Sequence, residues 1–214
     1  MLLYYITDRT QFSSDEAERR RCLLQKIAEA VRAGVDYIQL REKDLPTGDL
    51  ETLAQSVVRL VRGVGAAGNQ TPATRLLINS RTDVAIACKA DGVHLRSADL
   101  APSEVREIWH RTMPGLPVIS LSCHSVAEVA RSRGEGADFA VFAPVFEKKD
   151  DPSQHSAGLD ALHEACQQGF PVLALGGVTL DNAQSCLDAG AAGIAAIRLF
   201  QDNDIAQVVR ALRG

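Results

Sequence analysis

Six basic residues, Arg41, Lys43, Arg96, Lys148, Lys149 and Arg198, each lie close behind a short apolar run. Gathered on one face, they would give a basic mouth to a chain whose formal net charge is -4. Guanidinium and ammonium groups so arranged recognise an anionic small molecule, most economically one that bears phosphate. A second stretch points the same way. In LALGGVTLDNA (173–183) an apolar run enters Gly176-Gly177, and Thr179 and Asn182 open the next helical segment. Glycines let backbone N–H groups approach a phosphate, and a helix N-terminus adds a favourable dipole. The glycine pair by itself reads equally as a tight turn. With Arg198 behind the following apolar run, it reads as a phosphate site.

Other residues with chemical potential have plainer readings. Cys123, flanked by Ser122 and His124, has the look of a nucleophile, but nothing nearby supplies an oxyanion hole. His124 is read as a structural residue near a helix start, and His155 as an exposed loop residue; both are spare histidines for proton transfer. Glu42 and Asp44 solvate their loop or pair with basic neighbours. Lys148 and Lys149 form either a solvated loop tip or a flap over an anionic substrate.

What positions these residues is a recurring pattern. Ala33-Gly34-Val35-Asp36, Ala90-Asp91-Gly92, Gly136-Ala137-Asp138 and Ala189-Gly190-Ala191-Ala192-Gly193 each precede a short apolar run. Each reads as a helix end, a tight turn and then a buried strand. Continuous apolar strands alternating with helical stretches indicate a parallel sheet covered by helices. The spacing predicts strands over 2–6, 36–41, 75–79, 91–95, 117–121, 138–143, 171–175 and 193–197. Between them, Arg20–Arg32 carries Cys22, Leu23, Ile27, Ala30 and Val31 on one helical face. The fold expected is a (β/α)8 barrel forming one domain over residues 1–214, with a flavodoxin-like doubly wound sheet as the alternative. In such a barrel the chemistry sits at the C-terminal strand ends, where Thr7-Asp8-Arg9, Asn79-Ser80-Arg81 and Ser120–His124 also fall. The stretch GVGAAGNQTPAT (63–74) reads as a loop.

Composition excludes several classes. The chain is 46% hydrophobic and 23% charged, ordinary for a globular protein, and its acidic balance argues against nucleic-acid or membrane-surface binding. Five widely spaced cysteines form no CxxC pair, so buried free thiols in a reducing cytosol are expected rather than zinc or disulfides. The N-terminus MLLYYITDRT has no basic segment and too short an apolar run for a signal peptide or membrane span. A cytoplasmic setting is expected.

Taken in order, YYITDR, AGVDYIQLREKDL, LLINSRTDVAIACKADGVHLRSADL, SCHSVAEVARSRGEGADFAVFAPVF and PVLALGGVTLDNAQSCLDAGAAGIAAI resemble the thiamine phosphate synthase and TenI-type thiazole tautomerase superfamily over nearly the whole chain. The resemblance implies a (β/α)8 barrel, a homodimer, and a role in thiamine biosynthesis. For the synthase it implies joining a hydroxymethylpyrimidine diphosphate to a thiazole phosphate, with Mg²⁺, and release of pyrophosphate. By the same resemblance Gln39, Arg41 and Lys43 bind pyrophosphate, Asn79 serves the pyrimidine and diphosphate side, and Ser122 is the serine after strand 5. Asp99 is one Mg²⁺ ligand, and the Gly177 N–H holds the thiazole phosphate.

The chain departs from that pattern at several positions. Ser80 stands where a second Mg²⁺ carboxylate is expected, and a hydroxyl is a much poorer ligand for this ion. The loop after strand 6 reads Glu147-Lys148-Lys149-Asp150-Asp151 in place of Pro-Thr-x-Thr-Lys, and Arg198 replaces a serine. The first two departures lean toward the tautomerase, yet Pro144 occupies the place of its general-base histidine. Three readings therefore stand: a synthase with a modified metal site, a TenI-type tautomerase, and a non-catalytic binder of thiazole or thiamine phosphate. Another phosphate-binding barrel isomerase is a remote fourth.

Overall fold

The computed structural model describes residues 1–67, 74–147 and 156–214; Lys148, Lys149 and His155 lie outside them. Eight strands appear among these residues: β1 (Leu2–Ile6), β2 (Tyr37–Leu40), β3 (Arg75–Asn79), β4 (Gly92–Leu95), β5 (Val118–Cys123), β6 (Phe139–Phe142), β7 (Val172–Ala174) and β8 (Gly193–Ala196). Each pairs in parallel with the next, and β8 returns to β1 with Tyr4 opposite Ala195. That closure excludes the doubly wound sheet, whose edges stay open.

The helices are α1 (Glu16–Ala33), α2 (Thr47–Ala67), α3 (Thr82–Cys88), α4 (Pro102–Thr112), α5 (Val126–Gly134), α6 (Gly158–Cys166), α7 (Ala183–Asp188), α8 (Arg198–Gln201) and α9 (Ile205–Arg213). Local chemistry sets their ends. Asp15 caps α1 by accepting the Glu18 N–H at 2.8 Å, and Gly34 ends it at φ 80°, a left-handed turn that costs glycine nothing. No helix among the described residues is long and apolar enough to cross a membrane.

Two expectations shift. The stretch 63–74 was expected to be loop, but α2 continues through Ala67. Val57, Val61 and Val64 extend one apolar stripe past Gly63, and that packing outweighs the roughly 1 kcal/mol a helical glycine costs. Residues 68–73 of it lie outside the described residues. Strand 5 was expected to end at residue 121, whereas β5 runs to Cys123, so Ser122 belongs to the barrel wall rather than to the loop behind it.

Alternation along the strands divides the core in two. Outward residues such as Leu3, Ile38, Leu40, Leu76 and Ile119 pack under the helices. Inward residues, Tyr4, Ile6, Leu77, Val118, Phe139, Val141, Leu173 and Ala195, fill the barrel. Tyr4 and Phe139 meet edge to face there at 5.6 Å.

The repeated turns before alternate strands have a specific reason. Asp36 accepts the Leu3 N–H at 2.7 Å, Asp91 that of Leu76 at 2.8 Å, and Asp138 that of Ile119 at 2.7 Å. The aspartate entering β2, β4 and β6 thus grips the start of the strand before it. Arg213 and Arg106 neutralise Asp36 and Asp138. Before β8 the corresponding residue is Ala192, which has no carboxylate and keeps only backbone bonds, donating to Val172 O and accepting from the Leu2 N–H.

Candidate active site

The C-terminal end of the barrel has two unlike sides. Ile6 on β1, Leu175 behind β7 and Ile197 behind β8 face inward and are apolar. Gln39, Asn79, His94 and Ser122, from β2 to β5, supply amides, an imidazole and a hydroxyl. Arg41 and Lys43 continue β2 outward, half-buried and exposed respectively. Between the ends of β2, β3 and β4 lies a cavity of about 230 Å³ that includes Lys43, Asn79, Ser80, Arg81 and Arg96 in its lining. A larger groove of about 590 Å³, beside Arg62, Lys89 and Trp109, opens at the opposite end of the barrel. Parallel barrels do their chemistry at the C-terminal strand ends, so the smaller cavity is the relevant one.

Beneath the mouth runs a chain of hydrogen bonds. Gln39 Nε2 donates to Tyr4 Oη at 3.0 Å, and Tyr4 Oη contacts Ser120 Oγ at 3.4 Å. His94 bridges Ser120 and Ser122, with Nδ1 and Nε2 each 2.8 Å from a serine Oγ. Burial, helped by the Arg41 charge, pushes the His94 pKa down to about 3. Its imidazole is neutral at physiological pH, donating through one nitrogen and accepting through the other. The chain fixes the Ser122 hydroxyl at the mouth without placing a charge beneath it.

The four charges Arg41 to Asp44 separate by direction. Glu42 and Asp44 turn onto Arg9, which is 2% exposed, and Glu42 also forms part of the cavity wall. Arg9 bonds Asp44 at 2.6 and 3.0 Å, Glu42 at 3.2 Å and Glu16 at 3.1 Å. Thr7 Oγ1 adds a 2.5 Å bond to Glu42 and accepts the Arg41 N–H at 3.0 Å. Of the two readings of Glu42, pairing holds and solvation does not: it is 4% exposed. Burial raises its pKa, opposed by Thr7 and Arg9. The latch locks the backbone from which Arg41 and Lys43 project.

At the end of β4, Asp99 is held by a neighbour on its own loop. Arg96 donates its backbone N–H to one carboxylate oxygen at 2.8 Å and Nη2 to the other at 3.0 Å. Burial would raise the Asp99 pKa, but Arg96 and the Ser80 hydroxyl outweigh it and hold the carboxyl below its usual range. Ser80 sits at φ 60° with its N–H bonded to His94 O at 2.7 Å. Among the described residues, no group of three or more His, Cys, Asp or Glu could hold a metal. One carboxylate already engaged by a guanidinium does not make a protein site for Mg²⁺, which takes oxygen ligands in near-octahedral geometry.

The glycine pair has a packing reason of its own. A Cβ on Gly176 would come within 2.7 Å of Pro144 Cα, and one on Gly177 within 2.7 Å of Phe146 Cβ. The chain after β6 runs this close because Val145 and Phe146 donate to Leu175 O and Gly176 O at 2.9 and 3.0 Å. Asn182 then ties the loop, accepting the Thr179 N–H at 2.7 Å and donating to Gly177 O at 3.0 Å. Arg198 is exposed at the start of α8.

The remaining candidates also find places. All five cysteines are free. Burial pushes the Cys123 thiol up to about 11, unsuited to a nucleophile. His124 is exposed, with Nδ1 2.7 Å from the Ala143 carbonyl. Reasoning from the sequence missed the Tyr4, Ser120 and His94 chain and gave Arg9 no role. The signal for His94 was present, as the single polar residue in the buried strand Gly-Val-His-Leu.

A family model described as thiamine monophosphate synthase matches residues 3–200. The chain is 38% identical over 213 residues to a putative thiamine-phosphate synthase of Geobacter sulfurreducens, covering 98% of this chain and 92% of that one. It is 36% identical over 215 residues to the thiamine-phosphate synthase of Methanoculleus marisnigri, covering 99% and 93%. Among solved structures, the thiamine phosphate pyrophosphorylase from Pyrococcus furiosus superposes with a TM-score of 0.78 at 28% identity, covering 99% of this chain and 93% of that one. With a family model matching most of its length and relatives this similar end to end, the chain belongs to the thiamine monophosphate synthase family.

Proposed function

We propose that the protein joins a hydroxymethylpyrimidine diphosphate to a thiazole phosphate, releasing pyrophosphate and forming thiamine phosphate. The thiazole ring nitrogen contributes the electron pair of the new C–N bond. The bond from the pyrimidine methylene to the diphosphate oxygen breaks, and its pair leaves on pyrophosphate. That exchange transfers no proton. The site must therefore supply stabilisation of the leaving group and alignment of two flat rings, rather than a general base.

One observation carries this reading: the division of the mouth into a polar, cationic side and an apolar side. We assign the diphosphate to the first, with Gln39, Arg41, Lys43, Asn79 and Ser122, and the thiazole to the side of Leu175 and Ile197. Its phosphate is assigned to the Gly176-Gly177 turn and Arg198. The names of the relatives support the same reaction. Micromolar protein supplied with both substrates is expected to form thiamine phosphate and pyrophosphate in equal amounts. No product at that concentration overturns the reading.

A tautomerase acting on thiazole phosphate is the second reading, and His124 favours it. The Ala143 carbonyl can only accept, so Nδ1 carries the proton and the neutral ring keeps a basic lone pair on Nε2. This imidazole hangs beside Pro144, where the family's base is expected. Accelerated conversion of the thiazole tautomers, abolished by His124→Ala, is its test. A homodimer in the cytoplasm belongs to either reading. Free cysteines are in keeping with that compartment, and light scattering on the eluting protein tests the dimer.

A further inference from the structure

We infer that the Arg96 guanidinium stands in for a divalent cation on Asp99, so that the protein binds pyrophosphate without metal. The inference deepens the synthase reading and rests on it for the identity of the ligand. A divalent cation between two carboxylates sums to zero charge. Ser80, Asp99 and Arg96 sum to zero as well, because a hydroxyl replaces one carboxylate and a single positive charge replaces two. The net charge of the cluster is thus the same while the metal is dispensed with.

The geometry agrees with that substitution. The Asp99 side chain is 11% exposed, and both of its oxygens are engaged by Arg96, at 2.8 and 3.0 Å. A metal ion would have to displace those bonds and then sit beside a guanidinium, at a cost in repulsion. The pair uses Nε and Nη2 of Arg96, whereas the planar fork carries five N–H donors suited to bidentate contact with a second anion. Arg96 is exposed and lines the same cavity as Lys43 and Asn79. The other charges on that lining are accounted for: Arg81 is paired to Asp83 at 2.5 Å, and Glu42 is held by Arg9 at 3.2 Å. Nothing negative and unpaired faces an incoming diphosphate from these walls.

Calorimetric titration of the full chain with inorganic pyrophosphate, in EDTA and again in Mg²⁺, tests this. Wild type is expected to bind with dissociation constants within about threefold of each other. Arg96→Ala should weaken binding in EDTA about tenfold or more, the scale of a charge-assisted contact, and Arg96→Lys should recover only part. The double variant Ser80→Asp with Arg96→Ala should bind only when Mg²⁺ is present. Binding by wild type that vanishes in EDTA overturns the inference, as does an unchanged Arg96→Ala or no binding in either buffer. Pyrophosphate bound in EDTA by a protein that makes no thiamine phosphate overturns the synthase reading alone. Product formation with pyrophosphate binding only in Mg²⁺ overturns this inference alone.

Discussion

Arg9 and Asp44 form a two-pronged ion pair, Nη1 to Oδ1 at 2.6 Å and Nη2 to Oδ2 at 3.0 Å, that ties the loop after the first strand to the loop after the second. Glu42 lies beneath the same guanidinium with its side chain fully shielded from solvent. Two of the four charges behind β2 are therefore scaffolding, while Lys43 lines the cavity and Arg41 is half-buried at the barrel mouth.

Removing Arg9 leaves a buried carboxylate with no cation. Arg9→Ala is expected to cost about 3 kcal/mol in urea unfolding, the scale of breaking one side of a buried pair. Adding Glu42→Gln should recover part of that loss, because the orphaned charge is gone. Equal stability of Arg9→Ala and wild type would refute the latch.

Acid should destabilise the fold through His94. Its folded pKa is depressed from 6.5 to about 3, so between those values the unfolded chain binds a proton that the folded one excludes. The linkage therefore leaves stability intact above pH 6.5 and removes up to about 1.4 kcal/mol for each unit below it. His94→Asn is expected to flatten the denaturation midpoint between pH 6 and 4 relative to wild type; parallel profiles would count against a buried neutral imidazole.

Ser120 and Ser122 flank that histidine but should fail differently. Ser120 is buried, and Ser120→Ala is expected to cost about 1–2 kcal/mol of stability by leaving Tyr4 and His94 short of a partner. Ser122 reaches the mouth, and Ser122→Ala should lower kcat/KM for thiamine phosphate formation by about tenfold to a hundredfold with the melting temperature little changed. Steady-state kinetics beside thermal melts separate the two.

Gly176 has φ 97° and no space for a methyl group against Pro144. Gly176→Ala is expected to destabilise by about 2 kcal/mol or more, whether or not substrate is bound. If the variant melts like wild type and loses only affinity for phosphate, the turn's packing role is mistaken.

The barrel was legible because its signals are local and repeated. Apolar runs and helix stops such as Gly34 recur in register, and run length together with the flanking turn residues separates strand from helix. At β2 even the direction of side chains was readable, since Gln39 points inward and Leu40 outward. What escaped was non-local. Arg9 meets Glu42 and Asp44 more than 30 residues away, and the Asp99 carboxylate is claimed by a guanidinium that spacing alone assigned simply to the basic mouth. Helix α2 ran past its expected end because packed valines outweighed two glycines, a balance that local propensity cannot weigh.

The aspartates at the entrances to β2, β4 and β6 have a consequence for how the barrel can be taken apart. They staple the strands as consecutive pairs, β1 with β2, β3 with β4 and β5 with β6, leaving the joints between pairs without such a staple. A polypeptide cut between β2 and β3 or between β4 and β5 keeps every staple within one fragment, whereas a cut between β3 and β4 divides the Asp91 contact with Leu76. Fragments made at the first kind of joint should reassemble on mixing, and circular permutants opened there should fold. The protein is in this sense three fastened couples and one looser one, arranged in a ring.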